Sequence, residues 1–249
     1  LKPNEITICG LAAVRARFQR DPSSIIRLFF DEPMSRRIGI MCKALAASRR
    51  VYRCVAPAEL ERLADSVHHG GIVAVVEQDP IRRPTGADAA AWVRRGENLV
   101  VLDRIGNAHN LGAIARTAAY LGVPRIVIAG DLGSARPGTA AHRVAEGAME
   151  ALEVWSAPEV ASFLGELRAA GYEVIGAATR GGTTIRDPSK TGPWALVLGN
   201  EEHGLAPEVE AACGRLVTIP GTGKVESLNV SAAAAILIYE LGFKRRGRR

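Results

Sequence analysis

Three loops in the second half of the chain carry the residues best suited to chemistry, and each follows an apolar run. The first is Asp103-Arg104-Ile105-Gly106-Asn107-Ala108-His109-Asn110, which leads into a stretch with apolar residues at Leu111, Ile114, Ala118 and Leu121. Asn110 reads there as a helix N-cap, its side-chain oxygen accepting from free backbone N–H groups. Taken alone, that is the commoner use of an asparagine at such a place. Arg116 falls in the second turn of the same helix, where alone it is an ordinary surface arginine. The second loop is Leu198-Gly199-Asn200-Glu201-Glu202-His203-Gly204-Leu205. A glycine directly after a buried strand lets a ligand approach the backbone at the sheet's carboxyl edge. The paired glutamates suit either that edge or a solvated turn ahead of the helix beginning near Pro207. The third loop, Ile219 to Ser231, offers Ser227 and Asn229 as hydroxyl and amide groups that both donate and accept.

Several familiar chemistries fail on spacing. Gly223-Lys224 invites a phosphate-loop reading, but position 218 holds Thr218 instead of the first glycine, and Val225 follows the lysine instead of Ser or Thr. No G-x-G-x-x-G lies between a strand and a helix, and Val174-Ile175-Gly176-Ala177-Ala178 is too sparse in glycine. No G-x-S-x-G elbow exists. A nucleotide-dependent oxidoreductase or ATPase is weakened accordingly. His68, His69, His109, His142 and His203 have no metal-ligand spacing, and no metal is expected. Cys9, Cys42, Cys54 and Cys213 are too far apart for a zinc ribbon and point to a reducing cytoplasm.

The elements that must position these loops alternate between strand and helix. Up to about Gln78 we expect strands at Ile6–Cys9, Ile25–Phe30, Val51–Val55 and Ile72–Glu77. Helices at Leu11–Arg20, Ser35–Ser48 and Pro57–Ser66 lie between them. Residues 79–97, rich in Pro, Gly and Arg, read as a linker with one short helix near Ala87–Val93. Beyond it, strands are expected at 98–102, 125–128, 152–154, 173–177, 194–198 and 216–219, with helices at 111–121, 140–149, 158–170 and 231–241. Several of these strands are continuous apolar runs, as in a parallel sheet covered on both faces. The domain boundaries expected are 1–78, a linker 79–97, a second domain 98–243 and a basic tail 244–249.

At 249 residues and 47% hydrophobic composition, the chain can bury one large core or two small ones. The longest strong apolar run, Ala232 to Tyr239, is far short of the roughly 18 residues of a membrane span. No signal peptide is visible, and the start at Leu1 instead of Met leads us to expect native residues upstream. The net charge of +6 is unevenly spread. Residues 1–95 carry 16 basic against 10 acidic residues, residues 96–243 carry 11 against 16, and the tail carries five basic residues and no acid. Arginine outnumbers lysine 27 to 5, which suits bidentate phosphate contacts. A basic nucleic-acid-delivering segment joined to a nearly neutral or acidic chemical one fits this division, as does ordinary solvated charge in an Arg-rich proteome.

Asn110 with Arg116, Gly199 with Glu201 and Gly204, and Ser227-Leu228-Asn229 together match, in order, the three motifs of the SpoU/TrmH-type RNA methyltransferases of the SPOUT superfamily. The resemblance covers about 97–243. The N-terminal segment, from Cys9-Gly10-Leu11-Ala12-Ala13-Val14 to His69-Gly70-Gly71-Ile72, resembles the ribosomal-protein-like RNA-binding domain of these enzymes. Gly221 departs from the family, where a methionine is common after Ile-Pro.

The resemblance implies an α/β fold. A small N-terminal RNA-binding domain would precede a SPOUT domain with a C-terminal trefoil knot, and the enzyme would be a homodimer through the methyltransferase domain. The activity implied is S-adenosylmethionine-dependent methylation of a ribose 2′-hydroxyl in RNA, with ribosomal RNA placed ahead of transfer RNA. A non-catalytic RNA-binding protein on the same scaffold is the alternative. Thr179, Leu198, Gly199, Ile219 and Leu228 would hold the cofactor. Asn110, Arg116, Glu201, Ser227 and Asn229 would form the polar active-site set, with Glu201 tying loops together through backbone N–H groups. An arginine stays protonated, so Arg116 is expected to grip phosphate and orient the hydroxyl, not to act as a base.

Overall fold

The computed structural model describes residues 2, 4–185 and 192–246. The first elements are β1 (Glu5–Cys9), α1 (Leu11–Arg20), β2 (Ile25–Phe30), α2 (Glu32–Ser35), α3 (Gly39–Ala47), β3 (Val51–Cys54), α4 (Pro57–Ala64) and β4 (Ile72–Glu77). Next come α5 (Gly86–Arg94), β5 (Leu99–Leu102), α6 (Ala108–Tyr120), β6 (Arg125–Ala129), α7 (Thr139–Ala145), β7 (Glu153–Ala157) and α8 (Val160–Ala170). The last are β8 (Glu173–Ala177), β9 (Thr183–Thr184), β10 (Trp194–Leu198), α9 (Pro207–Ala212), β11 (Arg215–Thr218) and α10 (Val230–Arg246). They form two compact units. One comprises residues 1–80 and 137–151, the other 81–136 and 152–249.

The smaller unit holds a four-stranded sheet in the order β1-β4-β2-β3. β4 runs antiparallel to both neighbours, and β2 pairs with β3 in parallel. Its core gathers Ile8, Val14, Ile25, Leu28, Ile72 and Val76, all fully shielded. The expected helix Ser35–Ser48 begins late, and a separate short helix, α2, precedes it. Asp31 caps an earlier start, accepting from the Met34 N–H at 3.0 Å, and the chain restarts a helix only at Gly39.

Residues 137–151 were expected in the second domain but pack in this unit. α7 stops short of the expected Met149, because Glu146 and Gly147 take left-handed φ of 45° and 94°. Gly147 is required there. A side chain would meet the Ala12 carbonyl at 3.2 Å, and the φ is one that L residues avoid. Behind that turn Glu150 forms a buried ion-pair cluster. Its carboxylate meets Arg17 Nε at 3.0 Å and Arg20 Nη1 at 2.8 Å. Asp79 pairs with both arginines, at 3.2 Å from Arg17. Arg17 is only 1% exposed, so each charge depends on the others for compensation.

The larger unit holds a seven-stranded sheet in the order β7-β6-β5-β10-β8-β11-β9, with parallel pairing throughout. Leu99-Val100-Val101-Leu102 and Trp194-Ala195-Leu196-Val197-Leu198 are buried at every position. They form its centre, with helices on both faces, as their unbroken apolar character requires. Part of the expected linker is structural here. α5 begins on a capping box between Thr85 and Asp88 and buries Ala89 and Trp92. Trp92 meets Trp155 edge-on at 5.3 Å, and the Arg125 guanidinium lies 4.9 Å above Trp92. α10 extends past the expected Leu241 to Arg246, so three residues of the expected tail are helical. Lys and Arg are good helix formers and are favoured at a helix's carboxyl end. Residues 247–249 lie outside the described residues. Among the described residues no helix is long and apolar enough to cross a membrane.

Candidate active site

Because the strands are parallel, the segments that follow β5, β8, β10 and β11 all leave from one edge of the sheet. That edge is where open α/β sheets present ligand sites. The loop after β10 is held closed by its own backbone. Asn200 and Gly204 exchange two N–H···O bonds, each 2.9 Å. The Asn200 side-chain oxygen also accepts from the N–H groups of Glu202 and His203, at 3.0 and 3.1 Å. Gly199 lies against this turn so closely that a Cβ would sit 2.3 Å from the Gly204 carbonyl carbon. Only glycine fits there.

The loop after β5 braces the same turn. Buried Asp103 accepts from the Ala206 N–H at 2.8 Å. The Asn200 amide donates to the Arg104 carbonyl at 2.9 Å. Arg104 adopts a left-handed φ of 54° and reaches the Gly204 carbonyl at 3.3 Å. Its hydrogen bond to Asp103 raises the guanidinium pKa further above its ordinary value. Asp103, Arg104 and Asn200 were given no role by sequence reasoning. Their signal was position: an acid and a base closing a buried strand, and an amide between Gly199 and Glu201.

On this framework three distant residues meet. The Asn110 amide donates to Glu201 Oε1 at 2.6 Å, and the Asn229 amide donates to Asn110 Oδ1 at 3.2 Å. Asn110 is therefore not the cap of α6. That cap is Asn107, whose side-chain oxygen accepts from the His109 N–H at 2.8 Å. The cap starts the helix three residues earlier than expected and frees both ends of the Asn110 amide. Asn229 caps the start of α10. Its Oδ1 accepts from Ser231 N and Oγ at 2.9 and 2.6 Å, and its Nδ2 stays available to Asn110. Glu201 joins the loops through the Asn110 side chain, where backbone N–H groups were expected.

A cleft of about 850 Å³ opens beside this network. Thr179, Leu198, Gly199, Ile219 and Leu228 line it, and so do Glu201 and Ser227. Leu228 is half exposed to it, and Gly221 stands on its wall with no atom within 4 Å of where a side chain would begin.

Arg116 is elsewhere. It lines a separate hollow of about 560 Å³ between α6 and α10, with Tyr120, Ile236, Tyr239 and Glu240. It lies six steps along the helix from Asn110, which turns the two side chains about 120° apart around the axis. Among the described residues no group of three or more His, Cys, Asp or Glu side chains could hold a metal ion.

The comparisons with known proteins match this architecture. Residues 97–239 match the SpoU rRNA Methylase family, and residues 7–81 match the RNA 2'-O ribose methyltransferase substrate binding family. The 23S rRNA (guanosine-2'-O-)-methyltransferase RlmB of Nitrosomonas europaea is 32% identical over 94% of this chain and 89% of its own length. A tRNA/rRNA methyltransferase of Escherichia coli O157:H7, YfiF, itself uncharacterized, is 31% identical over 96% of this chain and 68% of its own. Among solved structures, the AdoMet-bound rRNA methyltransferase of Sinorhizobium meliloti superposes with a TM-score of 0.78 at 25% identity. It covers 98% of this chain and 88% of its own. AviRb of Streptomyces viridochromogenes, in complex with AdoMet, gives 0.77 at 25% identity over 99% and 92%. With one family model over the loops that build the cleft and the other over the N-terminal sheet, the chain belongs to the SpoU rRNA methylase family.

Proposed function

We propose that this protein transfers a methyl group from S-adenosylmethionine to a ribose 2′-hydroxyl of ribosomal RNA. The observation that carries the reading is the Asn110–Glu201–Asn229 contact, which gathers one residue from each of the three motif loops beside a cleft. The cleft fits the cofactor in size, since small-ligand pockets span about 300–1,000 Å³. Its walls mix apolar side chains with the open backbone of two glycine-bearing loops, which suits a nucleoside with a polar tail. Thr179, Leu198, Gly199, Ile219 and Leu228 would hold the cofactor, whose bound form supplies an electrophilic methyl group. The chain's own part is positioning, the main source of rate when an oxygen must line up with a methyl carbon. Asn110, Glu201, Ser227 and Asn229 present acceptors and donors to the ribose, and the Arg116 guanidinium holds a neighbouring phosphate. This intact polar set favours catalysis over RNA binding alone.

Arg116 does not line the cleft of its own chain, and its hollow opens on a face with Tyr120 at 89%, Tyr239 at 50% and Ile236 at 40% exposure. We read this face as a homodimer interface through which Arg116 is delivered to the partner's cleft. The strand order, with β10 inserted between β5 and β8, supports the trefoil knot implied by the family. The basic N-terminal segment supplies RNA affinity. A cytoplasmic location belongs to the same reading, and the four free cysteines are compatible with a reducing compartment.

Calorimetry with S-adenosylmethionine, followed by tritiated methyl transfer to unmodified 23S rRNA and mapping of the 2′-O-methyl position, tests the reading. A folded protein that gives neither heat nor transfer overturns it.

A further inference from the structure

We infer that Glu240 is a positioning residue for Arg116, pairing with it across α6 and α10 to set the direction of the guanidinium. The inference rests on the proposed role of Arg116 and extends it to a residue outside the three motif loops.

The hollow that holds Arg116 is walled mainly by apolar and aromatic groups from both helices. Arg116 is the single cationic residue on that wall and Glu240 the single acidic one. Glu240 is half-buried on α10, and one of its carboxylate oxygens is shielded from solvent. A carboxylate withdrawn from water into an apolar setting needs a compensating charge nearby. α6 and α10 pack directly together, so the cation facing the same space is the natural partner.

An arginine on an exposed helix face samples many rotamers, and a substrate phosphate must otherwise immobilise it. A carboxylate fixed on the neighbouring helix takes one edge of the planar guanidinium and leaves the other edge for an anion. Glu240 itself would touch neither RNA nor cofactor. Its effect would pass entirely through Arg116, and that dependence separates positioning from a general contribution to folding.

The test uses the full chain with Glu240→Gln, Arg116→Ala and the double variant. Methyl transfer to 23S rRNA is expected to fall about tenfold in Glu240→Gln, through kcat more than KM, with S-adenosylmethionine affinity unchanged. In the Arg116→Ala background the same substitution is expected to change the residual rate less than twofold. Equal losses in both backgrounds, or no loss in the first, overturn the inference. A thermal cycle decides the pairing independently of activity. The double variant's melting loss should be smaller than the sum of the single losses by about 2 °C. Additive losses mean that the two side chains do not pair. A wild type that methylates no RNA refutes the proposed function, while the thermal cycle still decides the pairing.

Discussion

Gly199→Ala isolates the physical claim on which the cleft depends. The added Cβ would lie 2.3 Å from the Gly204 carbonyl carbon, 2.4 Å from Leu205 N and 2.5 Å from Gly204 O. All three are backbone atoms, so no rotamer change relieves the clash. Restoring ordinary contact requires the 204–205 backbone to withdraw by about 1 Å. That movement pulls on the two Asn200–Gly204 bonds of 2.9 Å and on the 2.8 Å bond from Ala206 to Asp103. Overpacking of this kind costs about 1–3 kcal/mol, and each weakened hydrogen bond about 1 kcal/mol more. A total of about 4 kcal/mol corresponds to a fall of roughly 10 °C in the melting of the larger unit. The turn that aims Glu201 moves as well, so S-adenosylmethionine affinity should drop more than tenfold.

Gly221→Ala is the matched control on the same cleft. Nothing lies within 4 Å of its Cβ, and its melt should stay within about 1 °C of the parent. Differential scanning calorimetry and cofactor titration read both variants. If Gly199→Ala melts and binds like Gly221→Ala, the 200–204 turn is soft, and the argument from close approach is wrong.

Three further outcomes are expected. Asn110→Ala should abolish most methyl transfer at almost no loss of stability, whereas Asn107→Ala should lower stability by about 1 kcal/mol because it removes the α6 cap; paired melts and transfer rates check both, and a large stability loss in Asn110→Ala contradicts the capping geometry. His142 is buried beside Arg17 and Arg20, first by desolvation and then by those charges pushed down from 6.5 to about 4. Its unfolded form takes up a proton first as pH falls, so the smaller unit should lose up to about 3 kcal/mol between pH 6.5 and 4. His142→Gln should remove that part of the slope in urea melts across this range, and an unchanged slope refutes the assignment. Replacing exposed Arg36, Arg37, Lys43 and Arg49 by Ala should flatten the dependence of RNA affinity on salt by about 0.7 per lost phosphate contact, read by filter binding; an unchanged slope shows that this face does not meet RNA.

Some parts of this molecule were legible in the sequence and others were not, for identifiable reasons. The central strands were legible because burial on both faces leaves an unbroken apolar signature, as in Leu99–Leu102 and Trp194–Leu198. The domain edges were not. Arg17 and Glu150 are 133 residues apart, and nothing local in either segment announces the ion pair that draws 137–151 into the N-terminal unit. A fragment cut at residue 95 would therefore part Glu150 from Arg17, Arg20 and Asp79 and strip 137–151 of the unit it packs in, so truncation is a poor way to divide RNA binding from chemistry. Substituting surface charges avoids that damage.

The active-site loops fall between these extremes. Motif spacing identified the residues that converge at the carboxyl edge, because parallel strands deliver their following loops to one side whatever the details. It could not choose between Asn107 and Asn110 as the cap, since both precede the apolar period and both are good caps. That choice decides more than a boundary. With Asn107 as cap, Asn110 is the third helical residue, and the 100° step per residue fixes its direction relative to Arg116. The two side chains then serve different surfaces, one joined to Glu201 and Asn229 beside the cleft, the other facing Glu240 across the hollow. A single chain arranged in this way keeps its proposed phosphate-gripping arginine off its own cleft. In the proposed homodimer, a second copy docked on the exposed Tyr120 and Tyr239 face would bring both halves of the polar set to one RNA nucleotide.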